Sequence, residues 1–327
     1  MLLKLIFIIV GVALVIWGAD RLTEGAASLA RGMRVPEIVI GLTIVAAGTS
    51  APEMFVSLVA AFKGTADLAV GNVIGSNIFN TMLIVGCSAV VAPMAVAKNT
   101  VKKDIPFAVI AALLLFMLCF DDMDSPHLWG NEISRSDGFI LLAGFLAFMI
   151  YTFNVAKKDG LMPTEEELED NSELPKDYSK LWRNLSLMVL GLACLIIGSN
   201  LFVDAASYVA YRYGVRQSVV GLTIVAGGTS LPELATSVVA AYKGRSAIAI
   251  GNVIGSNVFN ILLILGMTAV VHPLRIMGIT IVDLTMMLVS VGLLWLFAFT
   301  KYSVSRKEGL VLVVGFLAYM GWLIWLL

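Results

Sequence analysis

Charge is what this sequence has least of. Only 14% of its 327 residues are Asp, Glu, Lys or Arg, against 59% hydrophobic. A soluble chain carries about a quarter charged residues, so the composition excludes an ordinary soluble domain and points to an integral membrane protein. The 22 basic and 23 acidic side chains nearly cancel, which leaves no basic field for nucleic acid. Histidine is almost absent, and His127 and His272 both fall in predicted loops. A nucleophilic serine at membrane depth would therefore lack a base, so an enzyme is not expected. Cys87, Cys119 and Cys194 show no CxxC or Cys/His spacing and read as small core residues rather than redox or zinc chemistry. No cofactor is implied.

Apolar runs are what the sequence has in excess. A membrane-spanning helix needs ~20 mostly apolar residues. Ten such spans are expected, at 2–30, 37–62, 67–92, 104–120, 138–156, 184–211, 217–242, 247–271, 277–299 and 309–327. The run from Leu2 to Trp17 lacks a convincing signal-peptide cleavage site and is read as part of the first span. Asp20, Arg21 and Glu24 share one face near its end, which suggests a long, tilted helix reaching the membrane edge.

One stretch occurs twice. Residues 41–86 and 221–266 are identical at 30 of 46 positions at a constant offset of 180. The identities gather at GTSxPE and GNVIGSNxFN. A second similarity, SRSDGFILLAGFLAFM at 134–149 and SRKEGLVLVVGFLAYM at 305–320, has an offset of 171. The expected organisation is a first five-helix repeat at 1–156, a linker at 157–183 and a second five-helix repeat at 184–327. Five is odd, so the second repeat enters the membrane from the opposite side. The fold class is thus all-α, with ten transmembrane helices as two inverted repeats and broken helices at the centre. With the N-terminus outside, fifteen Lys and Arg fall on the inner side and six on the outer, which satisfies the positive-inside rule. The acidic linker is then a cytoplasmic tether, in which Thr164 and Glu167 are placed to cap a short helix. The acidic outer loop at 121–137 reads as an entrance that tolerates cations.

Glu53 and Glu233 fall in the middle of predicted spans, where a lone ionised carboxylate costs several kcal/mol. No Lys, Arg or His lies at that depth, so the compensating charge is a bound cation or a proton. Pro52 and Pro232 remove a backbone donor and clash with the carbonyl four residues back, so each helix must kink or unwind. Carbonyls from Ala46 to Thr49 and from Ala226 to Thr229 are expected to lose partners and turn toward a cavity. Thr49, Ser50, Thr229 and Ser230 add hydroxyls. Asn72, Ser76 and Asn80 line one face of the next span, as do Asn252, Ser256 and Asn260. Asn72 and Asn252 serve equally well as glue between helices. Gly71 and Gly75, with Gly251 and Gly255, form small-xxx-small contacts for close approach. Oxygen is the sole ligand type, which selects a hard cation, and two bidentate glutamates with two carbonyls give calcium its ~6–8 oxygens.

At GTSAPE and GTSLPE, and at GNVIGSNIFN and GNVIGSNVFN, the sequence closely resembles the calcium/cation antiporter superfamily, specifically prokaryotic sodium/calcium exchangers. The resemblance covers the whole chain. It implies calcium held by Glu53 and Glu233 with the Thr49 and Thr229 carbonyls. Sodium sites would flank it, using Ser50, Ser76, Ala226, Thr229 and Ser230 on one side and Ala46, Thr49, Ser256 and Glu233 on the other. Asn80 and Asn260 would face the centre. One departure is Asn260, where many relatives carry Asp, leaving two formal charges rather than three. Family members of the potassium-dependent branch typically have an acid there, and the proton/calcium branch usually shows a GNxxE-type motif.

The expected function is secondary active antiport of calcium for sodium across the plasma membrane, with the two long helices, first and sixth, sliding over a fixed core. Calcium, sodium and the lipid bilayer are the expected partners, with no obligate protein partner. Calcium/proton exchange and a passive cation channel are the rival expectations; a channel would conduct without counter-ion coupling.

Overall fold

The computed structural model describes residues 1–33, 35–119, 132–158, 178–214, 226–276 and 279–326. Among these, seven helices are long and apolar enough to cross a membrane, or eight if one bent pair counts as a single span. In chain order they are α1 (Leu2–Met33), the bent pair α2 (Glu37–Thr49) and α3 (Ala51–Phe62), and α4 (Leu68–Val91). There follow α5 (Ile105–Leu118), α6 (Arg135–Lys158), α7 (Tyr178–Arg212), the short α8 (Ala226–Thr229) and α9 (Leu231–Tyr242). The chain ends with α10 (Ser246–Val271), α11 (Ile281–Lys301) and α12 (Arg306–Leu326). The expected span 104–120 is represented by α5, and 217–242 by α8 and α9, with residues 215–225 outside the description. The residues expected to cap a linker helix, Thr164 and Glu167, and most of the loop 121–137 also lie outside it.

Burial separates a centre from a periphery. Helix α10 is buried almost throughout and α4 mostly so, whereas α1, α6, α7 and α12 expose most of their residues. What those outer helices expose is apolar, such as Leu2, Ile9, Val189 and Val314. A soluble protein would not tolerate so much exposed hydrocarbon; a bilayer accepts it.

Close contacts reproduce the two sequence offsets. Gly86 of α4 meets Gly309 of α12, and Gly138 of α6 meets Gly266 of α10, with added methyl groups landing within 3.2 Å of the facing carbonyl oxygens. The pair 86/309 maps onto 266/138 by offsets of 180 and 171. Two-residue strands behave likewise: Met94–Ala95 pairs with Ser303–Val304, and Glu132–Ile133 with Leu274–Arg275, both antiparallel.

The longest seam joins α1 to α7. Glycines recur every seven residues, at 11, 18 and 25 on α1, facing Gly198, Gly191 and Asn184 on α7. A methyl group on Gly18 would lie 2.6 Å from the Gly191 carbonyl oxygen, and one on Gly191 would lie 2.7 Å from that of Gly18. A heptad spacing keeps one face of each helix in register along a long antiparallel crossing. In lipid, where apolar side chains gain little by leaving solvent, such close backbone approach drives association. The far end of α1 is tied by charge. Lys243 pairs with Asp20 at 2.5 Å, Arg21 bridges Asp20 and Glu24, and Arg245 donates to the Thr23 carbonyl at 3.1 Å.

The small-xxx-small expectation holds for the second half. Methyl groups on Gly251 and Gly255 would strike the Ile38 and Leu42 carbonyls at 2.8 and 2.5 Å. Gly71 and Gly75 show no comparably close contact among the described residues. A leucine at Gly18 should lower the unfolding free energy of the purified protein by about 1–3 kcal/mol. A leucine at Gly32, which has open space around it, should leave thermal unfolding unchanged. Equal melting temperatures for both variants would contradict the seam.

Candidate cation site

The bend between α2 and α3 is 46°. It falls at Ser50, whose backbone (φ −80°, ψ 4°) leaves the helical range, and Pro52 sits in the first turn of α3. Ser230 repeats this (φ −91°, ψ 8°) ahead of Pro232 in α9. The break is narrower than the sequence suggested. The Ala46 carbonyl still accepts the Ser50 N–H at 2.9 Å, because the proline deprives only the carbonyl four residues before it of a donor. Before Pro52, displaced backbone is therefore confined to the last turn.

Each break places a glutamate in the first turn of a helix: Glu53 in α3 and Glu233 in α9. The positive end of a helix dipole favours a carboxylate there. Both side chains are sealed from outside, at 1% and 0% exposure. The two halves interlock through them. Ser230 Oγ donates to Glu53 Oε1 at 2.9 Å, and Ser50 Oγ donates to Glu233 Oε1 at 3.2 Å. Each serine thus serves the glutamate of the other repeat. Ser76 stands 3.3 Å from Ser230, hydroxyl to hydroxyl.

What is left over defines the chemistry. Glu53 Oε2, Glu233 Oε2, Asn80 Oδ1, Asn260 Oδ1 and Ser256 Oγ are buried and make no hydrogen bond to the described residues. An unpaired buried acceptor costs about 1–3 kcal/mol, more if charged. Four of these five atoms are pure acceptors, so a cation suits them. Ser256 and Asn260 are fully buried at 0% and 1% exposure, on the helix that packs against both α2 and α3. Of the remaining predicted site residues, Ala46 is buried and Ala226 begins α8.

Asn72 and Asn252 act as braces. Asn72 Nδ2 donates to Ser57 Oγ at 3.1 Å and to the Glu53 carbonyl at 3.3 Å. Asn252 Nδ2 donates to Ser237 Oγ at 3.0 Å and, at the long distance of 3.5 Å, to the Glu233 carbonyl. Asn252 Oδ1 additionally accepts from Thr49 Oγ1 at 3.1 Å, across the repeats. Ser57 and Ser237 escaped the sequence reading, although each lies four residues after its glutamate and is duplicated. Asn257 escaped it too. It accepts from Asn80 Nδ2 at 3.2 Å and donates to Thr81 Oγ1 at 2.7 Å. Turns of π-helix at Phe79–Ile84 and Phe259–Leu265 begin beside Asn80 and Asn260. Such bulges gather at functional sites, but no residue pattern announces them.

The chain as a whole is matched among known proteins. The profile of the family described as "Sodium/calcium exchanger protein" matches residues 3–154 and 184–325. The chain belongs to the sodium/calcium exchanger family. It falls within the calcium/cation antiporter superfamily, as its motifs implied. It is 38% identical to the putative antiporter CaxA of Alkalimonas amylolytica, over 98% of each chain. It is 30% identical to the sodium/calcium exchanger MaX1 of Methanosarcina acetivorans, over 96% of this chain and 97% of that one. The solved structure of the sodium-calcium exchanger NCX_Mj soaked with 10 mM sodium and no calcium superposes with a TM-score of 0.83. The two are 29% identical, with 98% of each chain covered.

Within this exchanger the two braces differ by one bond. Replacing Asn252 by Ala should destabilise the protein by about 0.5–1.5 kcal/mol more than replacing Asn72 by Ala, because it also removes the cross-repeat bond from the Thr49 hydroxyl. Chemical or thermal unfolding of the two purified variants measures this; equal losses would contradict the cross-repeat role of Asn252.

Proposed function

We propose that this chain is a secondary active antiporter that exchanges calcium for sodium across the plasma membrane by alternating access. The observation that carries the reading is the reciprocal pair of buried glutamates, each with one oxygen bonded to the other repeat's serine and one oxygen without a hydrogen bond among the described residues. Two carboxylates match one divalent charge. Calcium takes ~6–8 oxygens in flexible geometry, whereas magnesium holds its water and demands a tighter octahedron. In this reading Glu53 and Glu233 hold calcium with backbone oxygens of Thr49 and Thr229. The hydroxyls of Ser50, Ser76, Ser230 and Ser256, with the carbonyls of Ala46 and Ala226, serve sodium beside it, and Asn80 and Asn260 supply amide oxygens at the centre. The N-terminus lies outside and the linker 157–183 in the cytoplasm.

Sodium and calcium compete for the same glutamates, and that competition couples their movements. Alternating access would come from the α1/α7 pair. Leu192 of α7 lies against Gly48, and Val203 of α7 against Gly228, so one helix covers the glycine ahead of both breaks. Sliding the glycine-seamed pair over the site would uncover it to one side and then the other.

Replacing Glu53 or Glu233 by Gln should reduce sodium-driven calcium uptake into proteoliposomes to background, with the protein still folded. Normal uptake in both variants would remove these residues as ligands. Uptake driven by a pH gradient without sodium would favour calcium/proton exchange instead. Flux of calcium without any counter-ion would favour a passive channel.

A further inference from the structure

A chain of hydrogen bonds reaches Asn80 from behind, and its direction is fixed at its far end. Its members are Thr81 and Asn80 on α4 and Asn257 on α10, all of them buried. Thr81 Oγ1 donates to the Asn77 carbonyl, one turn back, at 2.8 Å. A hydroxyl carries one proton and a carbonyl only accepts, so Thr81 Oγ1 offers nothing but lone pairs to its other neighbour. That neighbour, at 2.7 Å, has to be a donor, which turns the amide nitrogen of Asn257 toward Thr81. The Asn257 oxygen then faces Asn80 at 3.2 Å and accepts from Nδ2. Asn80 is left with Oδ1 on its other side, buried and without a hydrogen bond among the described residues.

The oxygen and nitrogen of an asparagine amide are nearly the same size, so shape alone does not choose between its two orientations. A hard cation does choose, because it takes oxygen and is repelled by an N–H. Resting on the cation-exchange reading of the site, we propose that Thr81 and Asn257 are positioning residues that hold the Asn80 amide with its oxygen toward the cation. The direction starts at a backbone carbonyl of α4, crosses to α10 and returns to α4. Neither Thr81 nor Asn257 needs to touch the ion. Among the described residues the second repeat has no such chain. At the offset of 180, Ile261 stands in place of Thr81, and Asn77 corresponds to Asn257. Asn77 Nδ2 donates instead to the Val73 carbonyl of its own helix at 2.7 Å. Asn260 is therefore not held in this way, and the amide whose direction is dictated from behind is Asn80.

The test compares Thr81→Val, which keeps the branched shape and removes the hydroxyl, with Thr81→Ser, which keeps the hydroxyl. Two quantities are read. One is the calcium concentration that half-saturates sodium-driven uptake into proteoliposomes; the other is the rise in melting temperature that calcium gives the purified protein. Thr81→Val should raise the half-saturating concentration about twofold to tenfold, the equivalent of one hydrogen bond, and reduce the calcium-dependent rise. Thr81→Ser should return both to the values of the unaltered protein. Ile261→Val, which trims the related side chain without removing a hydrogen bond, should lower the melting temperature and leave both calcium readouts unchanged. A Thr81→Val protein that melts lower but is half-saturated at the same calcium concentration would overturn the positioning role and leave exchange standing. Absence of sodium-driven uptake in the unaltered protein would overturn the exchange reading, while the calcium-dependent melting still decides the positioning role. If Thr81→Val fails to fold, a map of the unaltered protein with calcium bound decides. The Asn80 side-chain oxygen is expected at about 2.3–2.6 Å from the ion, and an ion beyond its reach would overturn the proposal.

Discussion

Two buried carboxylates with no basic partner among the described residues are the constraint on which the rest of the architecture depends. An ion of that kind is tolerated only with a dense set of hydrogen bonds and an opposite charge nearby. The protein supplies the hydrogen bonds from the wrong repeat: Ser230 serves Glu53, and Ser50 serves Glu233. Neither half can therefore complete its own site. Among the described residues no side chain in the cluster supplies the opposite charge, and the proposed function gives that place to a cation.

Helix geometry follows from this need. Pro52 and Pro232 break their helices one turn before the glutamates, which puts each acid at the positive end of a fresh helix. Asn72 with Ser57, and Asn252 with Ser237, then clamp the backbone of each acid to the neighbouring span. Close glycine contacts between α10 and α2 bring the helices near enough for these short side chains to reach. Around this rigid centre, α1 and α7 form a separate seam of glycines and expose mainly hydrocarbon. The outer pair is tied to the centre at one end, where Lys243 pairs with Asp20 and Arg245 donates to the Thr23 carbonyl.

Much of this was legible in the residues. The offsets of 180 and 171 reappear as the contacts 86/309 and 138/266, because an inverted duplication repeats its packing along with its sequence. The depth of Glu53 and Glu233 was readable from span length, and the break from proline. The reciprocal serine bonds were not, since a constant offset shows which residues correspond but not which ones touch. The extent of unwinding was overestimated at Ala46, where the proline's effect reaches only one carbonyl. Ser57 and Ser237 were within reach of the sequence, being duplicated on the same helical face as the acids. The π-helical turns beside Asn80 and Asn260 were not, because a single inserted residue leaves the apolar pattern of a fully buried helix unaltered.

The most direct measurement is an electron-density map from crystals soaked in calcium with sodium removed. The account predicts one ion within about 2.3–2.6 Å of oxygens from both Glu53 and Glu233, displaced when sodium is restored. Density showing the two carboxylates sharing a proton with no ion between them, or calcium bound elsewhere in the fold, would contradict it.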